Sequence, residues 1–355
     1  MNKLLIVNLL IFFLLITLIE VIFGFWLKKE NFGYLMRKNR NQIQDYQIKF
    51  DDKVYKHRYK RNFHGFRGDE VDPSEIKIVF IGGSTGNQRF TPEEFTIVER
   101  LNQLLGKKSF NHKIYNASTD GKSTFGIMND FEYWFPKLEK FNTKFFIFYI
   151  GLNDKFYRGN CKLDNSKHFD HNDCMMDKKL KNQVEDYVKN NSIIYLLTKR
   201  IKHKYFPENK IRYDFFGYKA SEGNSLYKNF SYLDYRAAYK IYKNYPISSD
   251  DKFVESELKK RIAKLLDYTK KYDAEILLIT QVQFDGVRDL DLFKANNTIK
   301  EFSRKNKINL IPLDERIIMK INDFYDPWHT TLIGSERIAK NIFPEIYEII
   351  SKKLD

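Results

Sequence analysis

The chain has 355 residues, 43% of them hydrophobic, and a formal net charge of +15 at pH 7. This length and hydrophobic content are sufficient for one domain with a large core and an insertion. A strongly basic balance is common in nucleic-acid-binding proteins, but here the lysines are spread along the whole chain, and no helix-turn-helix, zinc-finger or RNA-binding signature accompanies them. We therefore expect no nucleic-acid partner; the charge suits anionic lipid headgroups or acidic polysaccharide, or reflects only a Lys- and Asn-rich composition.

The first predicted element is a transmembrane helix over residues 4–26. This segment is almost wholly apolar and is long enough to cross a hydrocarbon core of ~30 Å. No small-residue cleavage site follows it, which favours an uncleaved anchor over a removed signal peptide. Glu20 lies toward one end of the segment, where it could be protonated or lie near the headgroups. We divide the N-terminal part into an anchor, residues 1–27, and a juxtamembrane linker, residues 28–75.

Three short apolar runs, each followed by a turn, predict the first three strands of a sheet. They are residues 77–81, 114–118 and 145–150. The first run leads through Gly82 and Gly83 to Ser84, because two glycines permit the tight backbone that presents the serine. A helix is expected to open at the Pro-Glu-Glu of residues 92–94.

The second and third runs lead to a turn at Gly121 and to Asn153. Ligands of open α/β sheets collect at the C-terminal ends of the strands. Ser84, Gly121 and Asn153 are therefore expected on the same rim of the sheet.

The remaining elements alternate between helix and strand. Apolar residues at helical spacing predict a helix over residues 255–272; a fourth strand follows at residues 276–279, and a helix around residues 289–305 precedes a fifth strand at residues 310–313. Residues 331–350 close the chain as a helix. Strands separated by helices indicate βαβ units. We predict a three-layer α/β/α sandwich around a five-stranded, mainly parallel, flavodoxin-like sheet.

Asp326 and His329 lie three residues apart, just before the last predicted helix. A serine hydroxyl is a poor nucleophile until a base takes its proton, and the base needs an acid partner that holds its tautomer. Ser84 as nucleophile, His329 as general base and then acid, and Asp326 as orienter of the imidazole would supply these roles. Each residue alone is more often a turn or capping residue. The serine is not in the Gly-x-Ser-x-Gly elbow of α/β-hydrolases.

Four blocks of the chain resemble the SGNH (GDSL-like) hydrolase family. The matching residues are Ser84, Gly121, Asn153 and His329, with Asp326 at the family's acid position. The resemblance implies a hydrolase domain over residues 76–355 that needs no cofactor. It also implies an oxyanion hole formed by the backbone N–H groups of Ser84 and Gly121 and the side-chain amide of Asn153.

Two positions depart from the family pattern. Gly83 stands where the first block usually has aspartate, and Ser118 replaces a glycine that is common in the second block. We interpret both as features of a subfamily.

An insertion at about residues 156–250, rich in Lys, Asn and Tyr, separates the third and fourth strands. A disulfide between Cys161 and Cys174 would close a loop of ~15 residues and contribute ~3 kcal/mol. With His168 and His171, the same cysteines could instead bind a structural zinc ion. The spacing does not match the usual finger patterns, so the disulfide is favoured.

Two further features of the insertion are helical. Residues 192–205 predict a basic helix with an apolar face. Tyrosines also fall at helical spacing, namely Tyr232, Tyr235, Tyr239 and Tyr242. Such a stripe is more often packed against the domain body; the alternative is a sugar-stacking or lid surface over the rim.

Two signals bear on the membrane orientation, and they oppose each other. The basic residues that flank the anchor are Lys3 before it and Lys28, Lys29, Arg37, Lys38 and Arg40 after it. On charge alone the domain would be cytoplasmic, but long domains translocate largely regardless of charge. A disulfide persists only in an oxidising compartment, and the resemblance implies an extracytoplasmic domain. We predict a single-pass membrane protein with its catalytic domain on the periplasmic side.

The sequence as a whole predicts a membrane-anchored serine esterase that acts on O-acyl, especially O-acetyl, esters of cell-envelope glycans. This substrate class is implied by the resemblance and the location rather than by any residue. The alternatives are a lipid-directed esterase, an O-acyltransferase with the same triad, and a non-catalytic envelope or polysaccharide-assembly protein that keeps the fold as a binding module. Intact Ser84, Asp326 and His329 argue against the last of these.

Overall fold

A computed structural model of the chain describes residues 3–24, 26, 42–50, 53–154, 188, 191–205, 231–246 and 248–354. Their strands are β1 Gln42–Phe50, β2 Lys53–Arg61, β3 Ile78–Gly82, β4 Ile114–Asn116, β5 Phe145–Tyr149, β6 Glu275–Ile279 and β7 Asn309–Ile311. Their α-helices are α1 Lys3–Phe23, α2 Ser84–Asn87, α3 Ile97–Lys107, α4 Thr124–Asn129, α5 Ile193–Tyr205, α6 Tyr235–Tyr242, α7 Ser249–Lys270, α8 Leu290–Asn306, α9 Leu313–Arg316 and α10 Leu332–Leu354.

Strands β3 to β7 form a five-stranded parallel sheet in the order β4-β3-β5-β6-β7. This is the predicted flavodoxin-like order, and the fold prediction is confirmed. The strand order reverses between β3 and β5, and the carboxyl ends of such a pair form the crevice where open α/β sheets bind ligands. β3 ends at Gly82, just before Ser84, and β5 ends at Tyr149, shortly before Asn153.

The sheet is covered on both faces. Successive residues of a strand point to opposite faces, and β3 and β5 are buried along their whole length. On one face, Val79 and Phe146 pack in a cluster with apolar residues of α4, α7 and α8. On the other face, Phe80 and Ile147 pack with α3 and α10. Two helical layers therefore enclose the sheet, as the alternation of strands and helices predicts.

The range 28–75 is not only a linker, which corrects the prediction for this part. β1 and β2 pair as an antiparallel hairpin, and Tyr59 and Arg61 at its end are buried. Phe66 after the hairpin joins the main core, 5.0 Å from Trp134 between ring centroids. The hairpin strands consist mostly of polar and charged residues, so they lack the apolar runs that mark strands buried on both faces.

Two other boundaries differ from their predictions. The helix expected to open at residues 92–94 begins later, because Pro92 precedes only a single 3₁₀ turn. α3 starts after Thr96, whose side chain accepts a hydrogen bond from the backbone N–H three residues on at 3.1 Å; threonine is a strong N-cap. The strand expected over residues 310–313 ends at Ile311, because the proline that follows has no N–H for the strand ladder.

Two helices of the insertion are described, α5 and α6. α5 confirms the helix predicted over residues 192–205. In α6, the rings of Tyr235 and Tyr242 pack on Phe293 of α8, with centroids 5.6 and 5.2 Å apart, whereas Tyr239 is half exposed. Most of the tyrosine stripe is therefore packed on the domain body.

The predicted cysteine site lies outside the described residues. This concerns both the disulfide between Cys161 and Cys174 and the zinc alternative with His168 and His171.

The N-terminal helix α1 is long and apolar enough to cross a membrane, by length and composition. Within the described part of the chain, none of its residues is buried. A long helix whose apolar side chains are exposed in this way is typical of a membrane span.

Candidate active site

His329 connects Ser84 to Asp326. Its Nε2 lies 2.8 Å from Ser84 Oγ, and its Nδ1 lies 2.6 Å from Asp326 Oδ2. When Nδ1 donates to the carboxylate, Nε2 carries the lone pair that accepts the serine proton. The three residues, 245 positions apart at the extremes, are therefore brought together in the order that proton transfer from the serine requires.

The loop that carries His329 is organised by Asp326 itself. Asp326 Oδ1 accepts from the backbone N–H groups of Trp328 at 2.8 Å and of His329 at 2.7 Å, while Oδ2 remains for the imidazole. The ring of Tyr325 stacks on the His329 ring, with centroids 5.5 Å apart and planes 9° from parallel. The hydrogen bond to Asp326 and the stacking on Tyr325 both restrict the rotation of the imidazole.

Ser84 is the first residue of α2, directly after the end of β3. Gly83 before it must be a glycine for a steric reason. A Cβ atom at position 83 would lie 2.1 Å from Asn153 Nδ2 and 2.9 Å from the Lys122 carbonyl oxygen. The Asn153 amide thus lies against the backbone next to Ser84, which explains the glycine at a position where the family usually has aspartate.

Gly121 lies between two residues that are tied to the rest of the site. Asp120 accepts from Asn87 Nδ2 of the serine helix at 2.7 Å, and the Lys122 carbonyl accepts from Asn153 Nδ2 at 2.7 Å. Gly121 has a φ of +73°, a conformation that favours glycine. The structure therefore brings Gly121 and Asn153, as well as the three residues of the Ser-His-Asp set, to one rim.

Asp154 holds the turn that positions Asn153. Its carboxylate accepts from the Thr124 N–H at 3.0 Å and hydroxyl at 2.6 Å, and from the Gly151 N–H at 3.2 Å. It is almost fully buried. A buried carboxylate with three donors is well satisfied, so the turn after β5 is rigid where Asn153 leaves it.

The four sequence blocks thus meet at the crevice between β3 and β5. These are the blocks on which the resemblance to SGNH hydrolases rests. A scan of protein-family models and a search of curated proteins both find no match. Similar solved structures include TesA, with a TM-score of 0.44, 10% identity, and coverage of 77% of this chain and 99% of that one.

A second is the acetyl xylan esterase AlAXEase, with a TM-score of 0.40, 14% identity, and coverage of 76% of this chain and 100% of that one. A third is a member of the lipolytic G-D-S-L family from Veillonella parvula, with a TM-score of 0.41, 14% identity, and coverage of 77% of this chain and 98% of that one. Identities and TM-scores this low do not allow the activity of these proteins to be assigned to this chain. The contacts of the SGNH-like site therefore carry the functional conclusion.

Two buried arginines that sequence reasoning missed support the serine helix. Arg61 at the end of β2 donates to Asn87 Oδ1 at 3.2 Å and to the Ser118 carbonyl at 2.7 Å. It also donates to the Gly65 carbonyl through Nε at 2.9 Å. It therefore connects the hairpin, the serine helix and the second block of the site.

Arg67, just beyond the hairpin, binds the other side of the same turn. Its guanidinium donates to the carbonyls of Asn87 and Gln88, and to that of Thr91 at 2.7 Å; its Nε pairs with Glu93 at 2.7 Å. These carbonyls lie at and just beyond the C-terminal end of the short serine helix, where they have no partner within it. The turn that presents Ser84 is thus held by residues 61–67, from the range predicted as a linker.

A buried ion pair lies behind Asn153. Lys122 Nζ lies 2.5 Å from Asp130 Oδ2, and both side chains are almost fully buried. Burial raises the pKa of Asp130 and lowers the pKa of Lys122, because each loses hydration of its charged form. The pair fixes the backbone of Lys122, whose carbonyl binds Asn153.

Among the described residues, no group of three or more His, Cys, Asp or Glu side chains could hold a metal ion. A cavity of about 470 Å³ opens between α6, α7 and α8. None of the three residues Ser84, Asp326 and His329 lines it. The Ser-His-Asp set at the strand ends is therefore not part of this cavity.

Proposed function

We propose that the chain is a membrane-anchored serine esterase with Ser84 as nucleophile. The observation that carries the proposal is the pair of bonds made by His329, 2.8 Å to Ser84 Oγ and 2.6 Å to Asp326 Oδ2. Both distances lie in the range for productive proton transfer. The position of the set at the sheet's crevice adds support, because that is where open α/β sheets bind ligands.

The mechanism follows from these contacts. Ser84 Oγ attacks the acyl carbon of the ester while its proton passes to His329 Nε2, and Asp326 stabilises the imidazolium. As the tetrahedral intermediate collapses, His329 returns the proton to the leaving alkoxide, and an acyl-serine remains. Water then attacks the acyl carbon, gives its proton to His329, and the acid is released as Ser84 recovers its proton.

The oxyanion would be stabilised by three donors, the backbone N–H groups of Ser84 and Gly121 and the amide of Asn153. Asn153 uses one amide hydrogen for the Lys122 carbonyl, which leaves its second hydrogen for the oxyanion. Removing one donor of this kind typically costs ~3–4 kcal/mol of transition-state stabilisation.

The substrates we propose are O-acyl, especially O-acetyl, esters on cell-envelope glycans. One feature supports this class. The chain carries an apolar helix suited to a membrane span, which would hold the site at a membrane. A periplasmic orientation would give the site access to the envelope.

The test uses the full-length chain in detergent, with a fluorophosphonate probe that labels activated serines and with p-nitrophenyl acetate as substrate. We expect labelling and turnover in the wild type, neither in Ser84→Ala, and no change in Ser351→Ala near the C-terminus. Labelling without turnover would indicate an O-acyltransferase that needs its own acyl acceptor. A folded protein that is neither labelled nor active would sink the enzyme proposal and favour a binding module.

A further inference from the structure

The Glu20 carboxylate, near the end of α1, binds the beginning of α5. It accepts from Ser192 Oγ at 2.5 Å, from the Ile193 N–H at 3.1 Å and from the Ile194 N–H at 3.2 Å. Trp26 Nε1 donates to the same carboxylate at 2.8 Å. The first N–H groups of a helix have no partner within it, and the positive end of the helix dipole attracts an anion. Glu20 therefore connects the N-terminal helix to α5 by more than one bond.

α5 exposes an apolar stripe. Leu197, Ile201 and Tyr205 are spaced four residues apart, so they lie on one face of the helix. Their exposed fractions are 45%, 54% and 65%. The sequence of α5 contains four Lys or Arg residues and no Asp or Glu. An apolar stripe on a basic helix is typical of helices that lie in the interface of a membrane with anionic lipids.

The position of α5 fits that environment. Glu20 lies three residues before the end of α1 at Phe23, a distance of ~4.5 Å along a helix that rises 1.5 Å per residue. α5 therefore begins at the level where α1 would leave the hydrocarbon core. Trp26, bonded to the same carboxylate, belongs to the residue type that is enriched at this level.

We propose that α5 is an interfacial helix that lies on an anionic lipid surface, with Leu197, Ile201 and Tyr205 in the boundary between headgroups and acyl chains and Glu20 holding its N-terminus. The inference rests on the proposed function in one respect, the membrane-spanning role of α1. A charged residue such as Glu20 is unfavourable inside a membrane span. In this arrangement Glu20 has a specific partner at the membrane surface, the N-terminus of α5.

The helix would set the position of the active site relative to the membrane. α5 contacts β1 as well as α1. Ile48 of β1 shares an apolar cluster with Tyr325, whose ring stacks on His329. Contacts therefore run without interruption from the anchor through α5 and the hairpin to the loop of the Ser-His-Asp set.

The experiment uses the full-length chain in vesicles of phosphatidylcholine and phosphatidylglycerol with brominated acyl chains, which quench tryptophan on contact. Ile201→Trp adds a fluorophore to the stripe. Lys352→Trp is the control, because Lys352 lies at the exposed end of α10. The neighbouring Lys353 pairs with Glu275 at the amino end of β6. This end of the sheet is opposite the rim that carries the active site. The signal of the wild-type tryptophans is subtracted.

We expect brominated lipid to remove the emission added at position 201 and to leave that at position 352 unchanged. Vesicles of phosphatidylcholine alone should give weaker quenching, because the basic charge of α5 then has no anionic partner. Equal, unquenched emission at both positions would overturn the proposal. Resistance of the chain to alkaline extraction reports the anchor separately, so a failure of α5 and a failure of α1 are distinguishable.

The role of Glu20 is tested in the same system. Glu20→Ala should reduce the quenching at position 201 and increase hydrogen exchange of the amides at residues 193–195. Glu20→Gln, which keeps one acceptor oxygen, should have a smaller effect. Unchanged quenching and exchange in Glu20→Ala would overturn the part assigned to Glu20. The thermal unfolding transition of each variant verifies that it is folded.

Discussion

Gln88 donates from Nε2 to Thr330 Oγ1 at 3.0 Å, and this bond connects the turn that carries Ser84 to the loop that carries His329. The same nitrogen donates to Ser335 Oγ at 2.6 Å, near the start of α10. Its Oε1 accepts from the first backbone N–H of α3 at 2.6 Å. Gln88 is buried, so the distance between Ser84 and His329 depends on a side chain that touches neither residue.

The first prediction is that Gln88→Ala lowers kcat and leaves KM little changed. Gln88 has a φ of +47°, and alanine meets the same backbone cost there. The change therefore removes only the hydrogen bonds of the side chain. Each buried group left without a partner should lower the free energy of unfolding by about 1–3 kcal/mol. Initial rates and thermal unfolding measure the two effects. Gln103→Ala, on a partly exposed position of α3, is the control; similar kinetics in both variants would contradict a positioning role.

The second prediction concerns Asp326→Asn. The asparagine oxygen can still accept from the backbone N–H groups of the loop, but its NH₂ group would face His329 Nδ1. The imidazole would then carry its proton on Nε2 and could not accept from Ser84. We expect kcat to fall by about 10⁴-fold, the size of effect seen for the equivalent change in a serine protease, with an unchanged thermal transition. Retention of most of the activity would refute the assigned role of Asp326.

The third prediction is that Gly83→Ala displaces the Asn153 amide. The added methyl group would lie 2.1 Å from Nδ2, and the loss of one oxyanion donor costs about 10²–10³-fold in kcat. Asn153→Ala should have a similar effect, and the double variant should lose little more than either single one. Additive losses in this cycle would show that the two residues act separately.

Gly106→Ala provides the matched control for that cycle. Apart from its chain neighbours and the backbone of its own helix, no atom of the described residues lies within 4 Å of a Cβ placed at position 106, which is inside α3. Alanine is favoured over glycine in a helix by roughly 0.5–1 kcal/mol. This variant should therefore be slightly more stable than the wild type and fully active.

The strands and the candidate site residues could be predicted from the sequence better than the side chains that hold them in place. Buried parallel strands such as β3 and β5 consist of apolar runs, and the site residues follow them at glycine turns. Arg61 and Arg67 have no such signal. They are two among 61 Lys and Arg residues, and most of their partners are backbone carbonyls, which leave no mark in the sequence.

The glycine at position 83 shows the same limit. The sequence identifies it only as a departure from a family pattern. Its reason, the amide of Asn153 lying 2.1 Å from where a Cβ would be, depends on two turns that are 70 residues apart in the chain. Only the packed structure brings them together.

The fourth prediction tests the support that Arg61 gives the serine helix. Lysine carries the charge but cannot donate in a fork to several acceptors. We expect Arg61→Lys to lower both the unfolding temperature and kcat, since Asn87 Oδ1 and the Ser118 carbonyl lose a buried donor. Arg58→Lys, an exposed residue of the same strand paired with Asp45, should change neither. Equal effects of the two substitutions would contradict a specific role for Arg61.

The fifth prediction concerns pH and stability. Burial lowers the pKa of His57 to about 4 from its ordinary value of 6.5. The ring stacks on Tyr46 at 5.6 Å, its Nε2 lies 3.3 Å from the Arg89 carbonyl, and its Nδ1 is buried without a hydrogen bond in the described part of the chain. A protonated ring would leave one N–H without an acceptor, so the folded protein favours the neutral form.

The sign of the pH effect follows from these two pKa values. As the pH falls below 6.5, the unfolded chain binds a proton at His57 that the folded chain does not bind until about pH 4. The free energy of unfolding should therefore decrease across this window, by at most about 3 kcal/mol in total. His57→Phe keeps an aromatic ring on Tyr46 and removes the titration, so urea unfolding of this variant between pH 7 and pH 4 should show a smaller decrease than the wild type. Parallel curves for the two proteins would mean that His57 is not protonated differently in the folded and unfolded states.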